Sequence, residues 1–109
     1  MQLDMARIET LIMIPVADND RVPFDDAAFV ELHRRLAAVA EGSTRRGPHM
    51  GFWIDPADGA EYNEAVFEYE IDLESWLSIP AFIEVALWAR HFFRQRAILI
   101  KIAGVPEIL

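Results

Sequence analysis

The chain contains no cysteine. Disulfides, thiolate zinc sites and cysteine nucleophiles are therefore excluded, stability must come from packing, and nothing argues for an oxidising compartment. Lysine is almost as scarce: ten residues are basic, and all but Lys101 are arginine. With a formal net charge of −8, the chain sets a repulsive background toward phosphate backbones, which are bound chiefly through arginine and lysine. Nucleic acid and anionic membrane surfaces are disfavoured as partners. The apolar run near the start, Leu11 to Val16, has six residues, too few to span a bilayer. Before it stands Asp4, with no basic start and no small-residue cleavage site of a signal peptide. A cytoplasmic location is the default expectation. Glycine is sparse too, at five residues, and neither "EGSTRRG" nor "GPHMG" has the lysine and strand-to-helix setting of a phosphate loop.

What is present is apolar residue in quantity: 53% of 109 positions, enough for one sizeable core and hardly two, so residues 1–109 are expected to form a single domain. In "IETLIMIPV" (8–16), Ile8, Thr10, Ile12 and Ile14 alternate with Glu9, Leu11 and Met13, which predicts a central strand. Asp25 is placed to cap a helix, with Phe24 and Phe29 at the spacing of a hydrophobic staple. Phe29, Leu32, Leu36 and Val39 form its apolar stripe, and Gly42 is the expected left-handed stop. Gly47, Pro48 and Gly51 point to a loop leading into a short second strand. "DPADG" (55–59) then turns the chain into the clearest strand, where Phe67, Tyr69, Ile71 and Leu73 alternate with Val66, Glu68, Glu70 and Asp72.

Ser78 is expected to cap a second helix with Pro80 in its first turn. That helix carries two apolar stripes, and the second, Val85, Trp88 and Phe92, calls for a partner in the first helix or in another subunit. A fourth strand follows with Ile98, Ile100 and Ile102 on one side, before a tail "VPEIL". Strand, helix, strand, strand, helix, strand is the split βαβ order. The expected fold is α+β, a ferredoxin-like βαββαβ sandwich: a four-stranded antiparallel sheet with two helices on one face. Ile8, Ile12, Ile14, Phe67, Tyr69, Ile71, Ile98, Ile100 and Ile102 face the helices. Leu11, Met13, Trp53, Glu68, Glu70, Leu99 and Lys101 occupy the opposite face.

That opposite face is where a site is expected. Its apolar members are too many for open water and its glutamates too charged for a sealed core, so a partly covered surface suits both. Trp53, His49, Glu68, Glu70 and Met13 are the candidate ligand-binding residues, with a solvated strand edge as the competing reading. The expected partners are a second copy, giving a homodimer, and a small molecule. No catalytic residue, metal or cofactor is assigned: His33, His49 and His91 lack ligand spacing, "DND" (18–20) and "DPADG" lack the calcium-loop pattern, and Ser43, Ser75 and Ser78 lack a nucleophile setting. Phe67 and Tyr69 mimic the paired aromatics of an RNA-binding sheet, but the glutamates between them and their inward phase speak against it. By fold analogy alone, a cofactor-independent enzyme of the dimeric α+β type (monooxygenase or isomerase) casts Arg46, His49, Trp53 and Asn63 as cleft residues.

The runs "VPFDDAAFVEL", "GFWIDPADGAEYNE" and "RQRAILIKIAG" are similar to a group of small bacterial proteins of the DUF3574 type, over most of residues 10–104. Gly51, Trp53 and Asp55 match its G-x-W-x-D turn, Glu64 its downstream glutamate and Gln95 its late glutamine. The "RRGPHMGF" loop departs from the expected lead. The resemblance implies a ferredoxin-like fold and lends no activity.

Overall fold

The computed structural model describes residues 7–109. The first strand, β1 (Ile8–Pro15), buries Ile8, Thr10, Ile12 and Ile14 beneath two helices and leaves Leu11 and Met13 half-buried on the other face. The alternation in sequence has become sidedness in space. Helix α1 (Asp26–Ala40) buries Phe29, Leu32 and Leu36. Phe24 and Phe29 meet edge to face at 6.3 Å, closing the staple. Asp25 occupies the cap position without a side-chain hydrogen bond. The left-handed residue that ends α1 is Glu41, at φ 65°, rather than Gly42. Val39 and Ala40 are the last side chains packed on the core, and the chain turns away immediately after them.

The second strand is long, contrary to expectation. β2 (Thr44–Ile54) pairs with β3 (Glu61–Leu73) along its length, with a register shift between Arg46 and His49. Gly47 (φ 103°) and Pro48 sit in that irregularity, and a Cβ on Gly47 would meet the His49 nitrogen at 2.9 Å and the Val66 oxygen at 3.0 Å. They kink the strand without ending it, which an edge strand tolerates because one row of its backbone groups has no partner to lose. The hairpin turn is built on Asp55. Its side chain accepts from the Ala57 N–H at 2.8 Å, its carbonyl accepts from Gly59, and Gly59 takes φ 71°.

A short 3-10 turn (Trp76–Ser78) leads into α2 (Ile79–Phe92). Ser75, not Ser78, makes the side-chain capping bond, accepting from Leu77 N–H at 3.1 Å. The second apolar stripe of α2 is covered in part inside the molecule, while Phe92 at its end stays 44% exposed. Val85 and Trp88 are half-buried against the core, and the Arg35 guanidinium of α1 lies 4.0 Å over the Trp88 ring.

The chain ends in β4 (Leu99–Ile102) and β5 (Val105–Ile108), joined through Ala103 and Gly104, both at positive φ, as a two-residue hairpin requires. The sheet is antiparallel with order β2-β3-β1-β4-β5. It therefore has five strands where four were expected. Pro106 disguised β5 as a tail, yet on an outermost strand proline displaces no ladder bond. Both helices lie on one face, and every residue assigned to the helix-facing side belongs to the one core cluster or packs against it.

Candidate functional site

Among the described residues, the other face of the sheet carries no helix. Its register sets Leu11 beside Glu70 and Lys101, Met13 beside Glu68, Arg46 beside Glu68, and Trp53 beside Tyr62. Along the β2–β3 arm the same parity places Gly51, Trp53, Tyr62 and Glu64 together, because Gly51 pairs with Glu64 two positions from the Trp53–Tyr62 pair. The two rings stack with centroids 4.6 Å apart and planes 14° from parallel.

Below Trp53 is a small cavity of about 90 Å³, walled by Met13, Val66, Leu99 and Ile108 and reached by Glu64 and Gln95. It shares Trp53, Glu64 and Gln95 with a trough of about 820 Å³ that runs between the arm and two loops, 16–21 and 95–97. Met13, Val66, Leu99 and Ile108 make the inner wall apolar, while polar groups gather at the mouth. Burial pushes the Glu64 carboxyl above the ordinary glutamate value, and the Trp53 indole partly offsets this. Gln95 donates its Nε2 to the Phe93 carbonyl at 2.9 Å, leaving its amide oxygen to accept. Arg96 closes one end of the trough by clamping the hairpin turn, with Asp58 at 2.6 Å and Asp55 at 3.6 Å.

The five candidate residues lie on this face but not in one place. Trp53 and Met13 line the same cavity. His49 and Glu68 form a separate, looser pair at 3.9 Å, and Glu70 is ion-paired with Arg46. Glu70 is thus committed to a neighbouring cation, while Glu68 only lies near an imidazole. Asn63 pairs with Phe52 on the opposite face of the arm, yet it borders the same trough as Trp53. Tyr62 reads in the sequence as a flank of the hairpin loop and not as a site residue, although a turn of fixed length after Ile54 places it across from Trp53. Glu64 and Gln95 stood out only through the resemblance. Among the described residues no group of three His, Asp or Glu side chains gathers as a metal site.

No family model matches the chain, and no curated protein does. Among solved structures, a phage SAM lyase in complex with S-methyl-5′-thioadenosine is similar over 100% of this chain and 92% of its own, with TM-score 0.74 at 12% identity. The phage SAM lyase in its apo state gives TM-score 0.65 at 11% identity, over 100% of this chain and 91% of that one. The divalent cation tolerance protein (Cut A1) from Thermus thermophilus gives 0.55 at 11%, over 95% of this chain and 81% of its own. At such identities the likeness is one of fold.

Proposed function

We propose that the chain is a homo-oligomeric small-ligand-binding module, and that its ligand is a flat nucleoside thioether or sulfonium held in the cleft beside the β2–β3 arm. The observation that carries this reading is the stacked Trp53–Tyr62 pair with Glu64 and Gln95 at the mouth of an apolar cavity. An aromatic face takes a base, an apolar cavity takes an alkylthio group, and a carboxylate attracts a sulfonium cation in a partly desolvated cleft. The complex of the similarly folded phage lyase with S-methyl-5′-thioadenosine supports that ligand class.

The homo-oligomeric part rests on the reverse side of the arm. Met50, Phe52 and Ile54 repeat at strand spacing and are 70%, 62% and 51% exposed, a contiguous apolar strip on an edge strand with no helix above it. A second copy of the chain suits it. Titration of tryptophan fluorescence with S-methyl-5′-thioadenosine and with SAM tests the ligand. Saturable change in the wild type, weakened at least tenfold in Trp53→Ala, is expected; no saturable change with either compound overturns the reading. Light scattering tests assembly. A mass above 12.5 kDa that falls to that value in Phe52→Asp is expected, and a wild type of single-chain mass removes the oligomer.

A cofactor-independent enzyme is the second reading, favoured by one observation. Glu64 is held toward its protonated form by burial at the cavity mouth, where a carboxyl can both take up and return a proton. Incubation with SAM distinguishes the two. Release of a thioether that is lost in Glu64→Gln supports catalysis, whereas SAM recovered intact supports binding alone.

A further inference from the structure

Among the described residues, the helix-covered side of the sheet holds one polar group that the fold does not explain. Tyr69 lies in the core-facing row of β3, between Phe67 and Ile71, and is 1% exposed. Among the described residues its hydroxyl has no hydrogen bond of ordinary geometry; the Arg45 guanidinium beside it can only donate, so the phenol proton has no acceptor. A buried hydroxyl without a partner destabilises a fold relative to phenylalanine, which would fill the same space without a polar atom. Phe67, in the same row, shows that a plain phenyl ring suits this layer.

Tyr69 forms part of a groove of about 660 Å³ between α1 and the β2–β3 pair. Phe29 and Val30 give it an apolar wall, and Asp26, His33, Arg34 and Arg45 bring its charges. Two of these are already engaged. Arg34 pairs with Glu31 at 2.9 Å, and the His33 Nδ1 shares a hydrogen with the Ser43 hydroxyl at 2.7 Å. Arg45 is different. It is the cross-strand neighbour of Tyr69, and its guanidinium rests 4.3 Å over the Phe67 ring. Among the described residues it forms no ion pair. Arg21, Arg90, Arg94 and Lys101 also form none, so what sets Arg45 apart is its place across the strand pair from the buried Tyr69 hydroxyl.

We propose that this groove is a second binding site, for a small organic oxyanion whose apolar body lies on Phe29 and Val30 while its charged end takes hydrogen bonds from Tyr69 and Arg45. An oxyanion accepts from a phenol and from the guanidinium fork at once, so it supplies the acceptor Tyr69 lacks and the counter-charge Arg45 lacks. Arg45 is exposed and can swing from Phe67 to admit it. Asp26, at the same groove, opposes a second negative charge and favours a singly charged end over a doubly charged one. The site is separate from the Trp53 cleft, with which it shares no residue.

The test is titration of the intact protein with benzoate and with phenyl phosphate, followed by amide chemical shifts. Saturable shifts centred on Tyr69, Arg45 and His33 are expected, with singly charged benzoate the tighter probe because Asp26 opposes the second charge of phenyl phosphate. Arg45→Gln should weaken binding at least tenfold and leave the fold intact, since its side chain is exposed. Tyr69→Phe should weaken binding several-fold and raise the melting temperature of the free protein. Absence of saturable shifts with both probes overturns the proposal, as does binding that Arg45→Gln and Tyr69→Phe leave unchanged.

Discussion

Trp53 and Tyr62 face each other across the β2–β3 arm with ring centroids 4.6 Å apart and planes 14° from parallel. Their backbones form a directly opposed strand pair, so the contact follows from register and needs no loop to bring it about. Stacked aromatic pairs contribute about 0.5–1.5 kcal/mol beyond the area they bury. Trp53→Ala is therefore expected to destabilise the protein by about 1–2 kcal/mol, read as a fall in melting temperature of roughly 4–8 °C per kcal/mol for a chain of this size. Trp76→Ala is the control: Trp76 is 64% exposed, and its loss should move stability by no more than about 0.5 kcal/mol.

Glu64 gives the cleft a pH signature whose sign is fixed. Its carboxyl is raised in the folded state because burial disfavours the charge. Between the unfolded glutamate value, about 4.3, and the higher folded one, the folded chain binds more protons than the unfolded chain, so stability falls as pH rises through that window. Glu64→Gln removes the titrating group. Melting curves from pH 4 to pH 8 should show the variant gaining on the wild type as pH increases, and parallel curves would contradict the burial of this carboxyl.

Alternation made the central sheet legible, since a strand covered on one face must keep its apolar residues in phase. Ile8, Ile12, Ile14, Phe67, Tyr69, Ile71, Ile98 and Ile100 all fall where the pattern puts them. Features decided by tertiary contact were not legible. Gly47 and Pro48 read as a strand break, but a bulge on an edge absorbs them. Pro106 read as a tail, but β5 pairs through its neighbours. The second α2 stripe called for a partner in the first helix or another subunit, and nothing local announces that Arg35 of the first helix will lie over Trp88. For the cleft, strand parity put Met13 and Trp53 on one face, while Gln95 arrives by a loop whose path depends on where α2 ends. Glu68 and Glu70 drew notice by charge, and their placement beside His49 and Arg46 across the strand required the shifted register of β2.

Thr10 offers a test of the core independent of any ligand. It is fully buried among isoleucines, and its hydroxyl donates to the Ile71 carbonyl at 2.8 Å. Valine has nearly the same shape but no donor, so packing is kept while one buried hydrogen bond is lost. Thr10→Val should destabilise by about 1 kcal/mol, the usual net worth of such a bond, measured by denaturant unfolding with an unchanged m-value. A neutral or stabilising outcome would mean that the transfer of a hydroxyl out of water outweighs its bond in this sheet.

Arg96 is the tether between the loop before β4 and the far end of the arm, reaching Asp58 at 2.6 Å and Asp55 at 3.6 Å. Asp58 is exposed, and its carboxyl is lowered first by the hydrogen bond it accepts from the Ala60 N–H and then by Arg96. A carboxyl depressed on folding favours the folded turn above its unfolded pKa and loses that effect as pH falls through the folded value. Solvent screens the pair, so the consequence is local: the arm should move more, not the whole chain unfold. Arg96→Ala is expected to speed hydrogen exchange at Asp55, Gly59 and Ala60 several-fold while the global unfolding midpoint stays in place. High salt and pH below 4 should reproduce the effect in the wild type and add little in the variant. Since Arg96 also closes the trough beside Trp53, the same variant should weaken a ligand bound there through faster release, and an unaltered dissociation rate would separate the arm's mobility from the cleft.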